Sequence, residues 1–507
     1  MILKRIDQFL NSITMYRLVL YGLIGLAAVA MVYAAAGQLP YSPAAMLGSL
    51  TLILFVCYIS NHLLAWAFRA QANIESLYIT AFILFFLLTP FTQPSDVLFT
   101  ATASAVAMAS KYVLAIYKKH LFNPAAFSIF ILGTAGLGAG SWWVSDPKLL
   151  PFVAVIGLLF VRKIRRFHLF FSFMAVATVV VTLVNINNNM DPTLAFIRVF
   201  TAWPTIFFAT VMLTEPLTTP PSSRLQLMYG ALVGLFFGLP FSIGPFYSSA
   251  ETALVIGNVF SYLMSPKRKL VLTLKEKTKL TADMWEFAFT PDKSFTFRPG
   301  QYMEWTLSHK HPDSRGNRRY FTIASAPTGR DVRLGVKLAP VQPSSFKIKL
   351  NSLKKGETII AGQVAGDFTL PQDANRKVVF IAGGIGITPF KSMIQYLQDT
   401  NQKCDGVLFY SAPTDKEFAY KDFFDGAEKK TGIRAVYIIT KQQNVPKNWN
   451  GKTGYITTDV VKSEVPDYLS RTFYLSGPIS MVDSYKTLLK NLGISKNKIV
   501  TDYFPGF

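Results

Sequence analysis

From Met15 to Met264 the apolar residues come in long uninterrupted runs, whereas from Ser265 onward they alternate with polar ones or come in short bursts. Crossing about 30 Å of hydrocarbon at 1.5 Å per residue takes about 20 apolar residues in a helix. About ten runs approach that length, starting near Met15, Ala44, Leu77, Val97, Asn123, Lys148, His168, Leu194, Leu225 and Glu251, and they predict about ten spans. An even number brings the chain back to its starting side, so both termini are expected on the same face. After "SPKRKL" the period changes. "LTLKEKTKLTADMWEFAFTPDKSFTFRPGQYMEWTL" alternates apolar and polar positions between turn signals and predicts antiparallel strands of a small barrel. "VVFIA", "GVLFYSA" and "TFYLSGP" are buried-strand bursts that end in small or polar residues before a helix, the pattern of a parallel sheet.

The fold class expected is therefore a polytopic α-helical membrane bundle followed by an antiparallel β-barrel and an α/β parallel-sheet domain, with boundaries at 1–266, 267–372 and 373–507. Composition agrees, since 51% hydrophobic residues over 507 positions is too apolar for one ordinary soluble enzyme. The formal net charge of +22 raises the question of nucleic acid, and its placement answers it. Lys4, Arg5, Arg69, Lys118, Lys119, Arg162, Lys163, Arg165, Arg166, Arg224, Lys267, Arg268 and Lys269 fall in loops on one side of the spans. The opposite loops, such as "TQPSD" and "NINNNMDP", carry almost none. That asymmetry makes the basic side cytoplasmic, with both termini there, and gives a multi-pass protein of the cell (inner, cytoplasmic) membrane whose partner is the lipid bilayer and not nucleic acid. The first run, Met15 to Ala36, is too long for a cleavable signal peptide.

Cys57 and Cys404 cannot build a disulfide framework or an iron–sulfur cluster, and no metal site is expected. His62, His120 and His168 stand on or beside different runs, so paired haem ligands along one helix are not expected either. Charged groups at membrane depth are costly, which singles out Lys111, Arg198 and Glu215 as candidates for a membrane path. Lys111 and Arg198 also suit snorkelling near span ends. Glu215 is followed by Pro216, Pro220 and Pro221, and such a break frees backbone groups that must line a cavity or meet water.

In the second half, "RRYFTIASAP" puts a guanidinium at the head of a strand and hydroxyls at its end, suited to a phosphate and a polar ring edge. Ser344 and Ser345 stand at a helix start, where free amides favour an anion. Gly383, Gly384 and Gly386 separate a buried strand from a helix near Thr388, a turn whose missing side chains let a dinucleotide pyrophosphate approach, although the spacing is not the full G-x-G-x-x-G fingerprint.

Two resemblances follow. "HLFNPAAFSIFILG" and "TEPLTTPPSSRLQLMYGALVGL" resemble stretches of the D subunit of Rnf complexes and the B subunit of the sodium-translocating NADH:quinone reductase, membrane electron carriers with about ten helices. Those subunits commonly attach FMN to a threonine in a Ser-Gly-Ala-Thr segment. Here that interval reads "GTAGLGAGSWWVSDPKLLPF", which leaves only a noncovalent FMN to consider in the membrane half.

"RPGQY", "RRYFTIAS", "GDFTLP", "AGGIGITPF", "YLSGPISMV" and "TDYFPGF", in that order from Lys269 to Phe507, resemble the ferredoxin-NADP reductase superfamily. The resemblance implies an FAD-binding barrel over 267–372 and an NAD(P)-binding domain over 373–507. It implies that Arg319, Tyr320, Phe321 and Thr322 form the flavin strand, with Arg319 on the pyrophosphate, Phe321 packed on the ring and the Thr322 hydroxyl near its reactive nitrogen. Ser344 and Ser345 match the flavin phosphate turn, and Gly383, Gly384, Gly386 and Thr388 the pyridine-nucleotide turn. Gly477 and Pro478 match the loop beside the nicotinamide, preceded by Ser476 where many relatives have cysteine. Phe504 and Phe507 match a terminal aromatic over the flavin. Thr322, Ser476 and Phe504 are the catalytic candidates.

The function expected is a membrane-bound flavoprotein oxidoreductase that passes electrons from NAD(P)H through FAD to a quinone or a flavin carrier, with other subunits as further partners. No arginine follows "LFYSAP" where a 2′-phosphate would sit, which favours NADH over NADPH. The alternatives are a sodium- or proton-translocating redox pump using Glu215, and a flavin or cation transporter with a redox-sensing cytoplasmic domain.

Overall fold

The structure is a computed structural model that describes residues 6–7, 9–10, 13–68, 74–116, 119–264, 269–309, 312–313, 316–338, 343–371, 373 and 377–502. The chain divides into two compact units, one up to Lys269 and one from Leu270 onward.

The described residues of the first unit contain ten helices of ten or more residues: α1 (Met15–Ala35), α2 (Pro43–Ala67), α3 (Ile74–Leu87), α4 (Pro94–Val113), α5 (Pro124–Thr134), α6 (Leu150–Ile164), α7 (Phe167–Asn187), α8 (Pro192–Thr201), α9 (Ser223–Gly238) and α10 (Ala250–Met264). Their starts follow the local rules. Thr14, Ser42, Asn123 and Asp191 each accept a hydrogen bond from a first-turn backbone N–H, and proline stands in the first turn of α2, α4, α5, α6 and α8, where its missing N–H costs nothing.

The expectation of about ten spans is corrected. Three of these helices, α1, α2 and α7, are long and apolar enough to cross a membrane; a fourth span results if α8 and Thr205–Met212, bent by 54° at their break, count as one. The reason is that apolar runs persist through breaks that end helices. Gly136, Gly138 and Gly140 follow the 11 residues of α5, and Trp203-Pro204 interrupts the run that begins in α8.

The tightest helix pair is α7 with α9. A Cβ on Gly230 would stand 2.8 Å from Leu169 O, one on Gly234 3.0 Å from Phe173 O and one on Gly238 2.7 Å from Val181 Cγ2. Glycine at every fourth position therefore lets the two backbones meet. Around them Phe85, Phe86, Phe173, Phe207, Phe208 and Phe237 are fully buried.

The second unit holds two six-stranded sheets. The first is formed by β1 (Lys269–Lys279), β2 (Met284–Pro291), β3 (Tyr302–Thr306), β4 (Arg318–Thr322), β5 (Val332–Lys337) and β6 (Thr358–Ala365), in the order β4-β3-β6-β1-β2-β5. Its ladder is antiparallel wherever a register is described, as in Met303 opposite Phe321 and Phe287 opposite Leu334. Among the described residues the ladder has two ends, β4 and β5, which approach through the bond from Ala324 N–H to Arg333 O at 2.8 Å; a closed barrel is not what it shows. The alternation read in the sequence supplies the core of this sheet, Leu272, Leu274, Phe287, Phe289, Met303 and Trp305.

The second sheet has β7 (Val378–Gly383), β8 (Gly406–Ala412), β9 (Ile433–Ile439), β10 (Lys452–Thr453), β11 (Thr472–Ser476) and β12 (Ile499–Thr501), all parallel, in the order β10-β9-β8-β7-β11-β12. The chain leaves β7 toward β8 and later returns on its other side as β11. The carboxyl end of β7 is therefore the switch point where such sheets bind ligands.

Candidate functional site

At that switch point β7 ends in Gly383, a tight turn occupies Gly384–Ile387, and α12 (Thr388–Asp399) begins. Gly384 has φ +53, a region glycine enters without a Cβ penalty. Gly386 lies against the strand on the other side of the crevice, where a Cβ would be 2.4 Å from Ser476 O and 2.6 Å from Gly477 Cα. A Cβ on Gly383 would be 2.3 Å from Met481 Sδ. The Thr388 hydroxyl donates to Ile385 O at 3.2 Å and so braces the turn. Bare backbone at the head of a twelve-residue helix suits a diphosphate, because the first-turn amides lack intrahelical partners.

Ser476, Gly477 and Pro478 line the other wall. Ser476 is 2% exposed and its hydroxyl donates to Asp502 Oδ2 at 3.0 Å, so in this structure the group expected to guide a nicotinamide is held by a carboxylate.

On the first sheet, β4 holds the second group of candidates. Arg319 is 6% exposed, lies 5.4 Å over the Phe346 ring, donates through Nη1 to Gly316 O at 3.1 Å and to Arg318 O at 2.6 Å, and faces Asp313 Oδ1 through Nη2 at 3.3 Å. Ser344 caps α11 (Ser345–Ser352), accepting from Lys347 N–H at 3.3 Å. Ser345 N–H donates to Asp313 Oδ2 at 3.0 Å, and the Ser345 hydroxyl accepts from Asp313 N–H at 2.8 Å. The structure thus brings Arg319 and Ser345 onto one carboxylate. Phe321 sits 5.8 Å from Phe346 and Thr322 is buried opposite Tyr302, while the Tyr320 hydroxyl donates to Glu304 Oε2 at 3.0 Å. Phe504 and Phe507 lie outside the described residues.

Three comparisons bear on this geometry. Residues 380–487 match the family model for the oxidoreductase NAD-binding domain. The glycine betaine monooxygenase reductase subunit of Pseudomonas aeruginosa (strain UCBPP-PA14) is 28% identical over 227 residues, covering 44% of this chain and 61% of that protein. The F subunit of the Na(+)-translocating NADH-quinone reductase of Marinomonas sp. (strain MWYL1) is 30% identical over 201 residues, covering 39% of this chain and 47% of that protein. The C-terminal half is ferredoxin-NADP reductase-like, with an NAD-binding domain. Among solved structures, the flavohem-like FAD/NAD-binding domain of nitric oxide dioxygenase from Vibrio cholerae O1 biovar El Tor aligns with 46% of this chain and 98% of its own, at 22% identity and TM-score 0.41. The chain spans 61% of the length of the first curated relative.

The reductase-like half bears comparison with the needs of FAD and a nicotinamide nucleotide, the groups that its likeness to ferredoxin-NADP reductases implies. Its residues fit both groups. Gly383, Gly384 and Gly386 leave three positions of the turn without a Cβ, so a diphosphate can approach the backbone there. The donor set of Arg319 and Ser345 already holds one anion, the Asp313 carboxylate.

Sequence reasoning missed the polar network that joins the two sheets of the reductase module. Tyr420, at φ +60, donates to Glu286 Oε1 at 2.8 Å; Arg333 pairs with Glu286 Oε2; and the Ser392 hydroxyl donates to Ser325 O at 2.6 Å. Burial, and then Glu286, push the Tyr420 phenol well above its ordinary range. Nothing local in the sequence marks these partners, which are 134 positions apart in the Tyr420 case.

Beside the network, Lys391 is 9% exposed, 4.0 Å over the Phe423 ring and bonded to Gln395 Oε1 at 2.8 Å. Burial pushes its ammonium down to about 8, with Glu286 pulling the other way. Between about pH 8 and the ordinary lysine value near 10.4 the unfolded chain therefore binds more protons than the folded one, and stability rises with pH across that window. The burial cost is fully present below about pH 8. Lys391→Met is expected to be more stable than wild type at pH 7 by up to about 3 kcal/mol and to lose the rise, as read by urea denaturation at pH 7 and pH 10. Parallel stability–pH curves for the two proteins would refute this.

Of the membrane-path candidates, Lys111 and Glu215 stand within electrostatic reach of each other, and Arg198 does not join them. Glu215 Oε2 accepts from Asn123 Nδ2 at 2.9 Å and from the Thr218 hydroxyl at 3.3 Å. Lys111 Nζ donates to Ser76 O at 3.0 Å, and Arg198 is exposed on α8.

Proposed function

We propose that the chain is a membrane-bound flavoprotein that takes hydride from NAD(P)H, with NADH favoured, and passes electrons to a membrane or outer-face acceptor, a quinone or a flavin carrier. The observation that carries this reading is the pairing, in one chain, of the Gly383–Gly386 crevice with three helices of membrane-crossing length. FAD supplies the step from a two-electron donor to one- or two-electron acceptors when it is bound.

The roles of the chain's own residues follow from their positions. Arg319 and the amide of Ser345 hold the flavin diphosphate, displacing the Asp313 carboxylate they now share. Phe321 packs on the ring, and Thr322, buried at the strand end, presents its hydroxyl to the ring edge. The amides from Gly384 to Thr388 hold the nucleotide diphosphate, and Gly477 with Pro478 shapes the slot for the nicotinamide. In this reading FAD lies on the portion over 267–372 and the nucleotide on 373–507, with the reductase module on the side of the basic loops. The electron-transfer relatives, reductase components of oxygenases and of a quinone reductase by their names, support partner subunits as recipients.

The test is a visible spectrum of the detergent-purified protein before and after anaerobic NADH. About one FAD per chain, released by denaturation and bleached by NADH beforehand, is the expected result. A chain without flavin, or with flavin indifferent to both nucleotides, ends the oxidoreductase reading.

A further inference from the structure

We propose that a cavity around Glu251, in the first unit, binds the headgroup of a quinone; the proposal rests on the reading of the chain as a membrane oxidoreductase, which requires an acceptor. Glu251 stands in the first turn of α10, where a carboxylate is ordinary, close to the positive end of the helix and usually solvated. This one is 4% exposed.

Two unusual features serve it. Trp142 donates from Nε1 to Glu251 Oε1 at 2.7 Å, and it does so from φ 50, a left-handed conformation that costs a bulky residue about 1–3 kcal/mol. Gly140 leaves the space that the carboxylate fills, since a Cβ there would be 2.4 Å from Oε1. Strain of that kind collects at ligand sites, where surrounding structure holds it in place.

The cavity has a volume of about 230 Å³, and Phe130, Trp142, Trp203 and Tyr247 stand in its wall with Glu251. Aromatic walls favour a flat ring. Size then decides which ring. An apolar cavity of about 150 Å³ holds benzene, whereas whole cofactors occupy pockets of roughly 300–1,000 Å³. A single substituted six-membered ring fits here, and a three-ring isoalloxazine with its side chain does not. Polarity narrows the choice further. A carboxylate has about four acceptor positions, so Glu251, which already accepts from the Trp142 N–H, the Ser249 side chain and its own backbone N–H, keeps one for a ring hydroxyl, and the Tyr247 hydroxyl can donate to a ring carbonyl. A quinol has two such hydroxyls and a quinone two such carbonyls. The hydrocarbon tail of a lipid quinone also suits a unit with helices of membrane-crossing length.

The experiment uses the full chain in lipid nanodiscs and an azido-p-benzoquinone with an isoprenoid tail, with labelled peptides read by mass spectrometry. Flavin bleaching by NADH is recorded first on each sample. Label is expected on the segments around Trp142, Trp203 and Tyr247–Thr252, displaced by excess unlabelled quinone. Displacement should weaken about tenfold or more in Glu251→Leu, the effect of losing a hydrogen bond to a charged group. Trp203→Ala, which touches the wall and not the carboxylate, should weaken it as well and guards against a Glu251 variant that fails to fold.

Label spread over lipid-facing helices, label that excess quinone does not displace, or displacement by a quaternary ammonium instead would overturn the site. Failure of the two ideas is separable. Normal bleaching with label elsewhere sinks the site alone, and label in the cavity without bleaching sinks the oxidoreductase reading alone.

Discussion

Gly386→Ala is expected to slow anaerobic bleaching of the bound flavin by NADH about 100-fold. A Cβ at this position would stand 2.4 Å from Ser476 O, 2.5 Å from Ser476 C and 2.6 Å from Gly477 Cα. All three are backbone atoms, so no side chain can rotate away. Either the turn Gly384–Ile387 or the Ser476–Gly477 segment must move by about 1 Å, and a misplacement of that size costs about 10²-fold in a reaction that depends on near-contact geometry. Overpacking adds about 1–3 kcal/mol of destabilisation, small enough for the protein to be purified if the module has ordinary stability. Gly384 is the control for strain without a clash. It has φ +53, but the nearest atom to its Cβ position is Met284 Cε at 3.9 Å. Gly384→Ala should therefore cost roughly 1 kcal/mol of backbone strain and a smaller part of the rate. Stopped-flow bleaching of the two variants checks the order. Equal rates for Gly386→Ala and wild type would show that the nucleotide does not use this crevice.

Why the glycine turn was legible and its partner was not is a matter of range. "VVFIAGGIGITPF" announces strand, turn and helix from neighbours within the segment, and the structure has β7, the Gly384–Ile387 turn and α12 there. What makes Gly386 irreplaceable is Ser476, 90 positions away, brought alongside by the parallel pairing of β7 with β11. The same holds for Ser476, whose relation to Asp502 depends on the return of the last strand. In the first unit the helix starts were legible because caps and prolines are local signals. The number of spans was not, because apolarity continues through Gly136–Gly140 and Trp203-Pro204 while the helix does not. Glu251 escaped notice for a related reason. A carboxylate at a helix head looks solvated until tertiary packing encloses it beside a tryptophan 109 positions earlier.

Arg319→Leu is expected to lower the affinity for FAD about 10- to 100-fold, the equivalent of about 1.5–3 kcal/mol for a charge-assisted hydrogen bond. Leucine keeps the apolar contact over Phe346 that the guanidinium now makes at 5.4 Å, so the variant tests charge and donors rather than packing. Arg319→Lys should recover little of the loss. One edge of the guanidinium is committed to the carbonyls of Gly316 and Arg318, and only a planar fork can hold those and still direct Nη2 at an anion. The Asp313 carboxylate now on that nitrogen supplies an internal check. If Asp313 and the flavin diphosphate compete for Arg319 and Ser345 N–H, Asp313→Asn removes the competing charge and should tighten FAD where Arg319→Leu loosens it. Both are read from the recovery of flavin fluorescence on release, a binding measurement that does not depend on turnover. Wild-type FAD retention in Arg319→Leu would move the flavin diphosphate away from β4. Looser binding in Asp313→Asn would mean that the aspartate orients the arginine for the cofactor instead of holding its place.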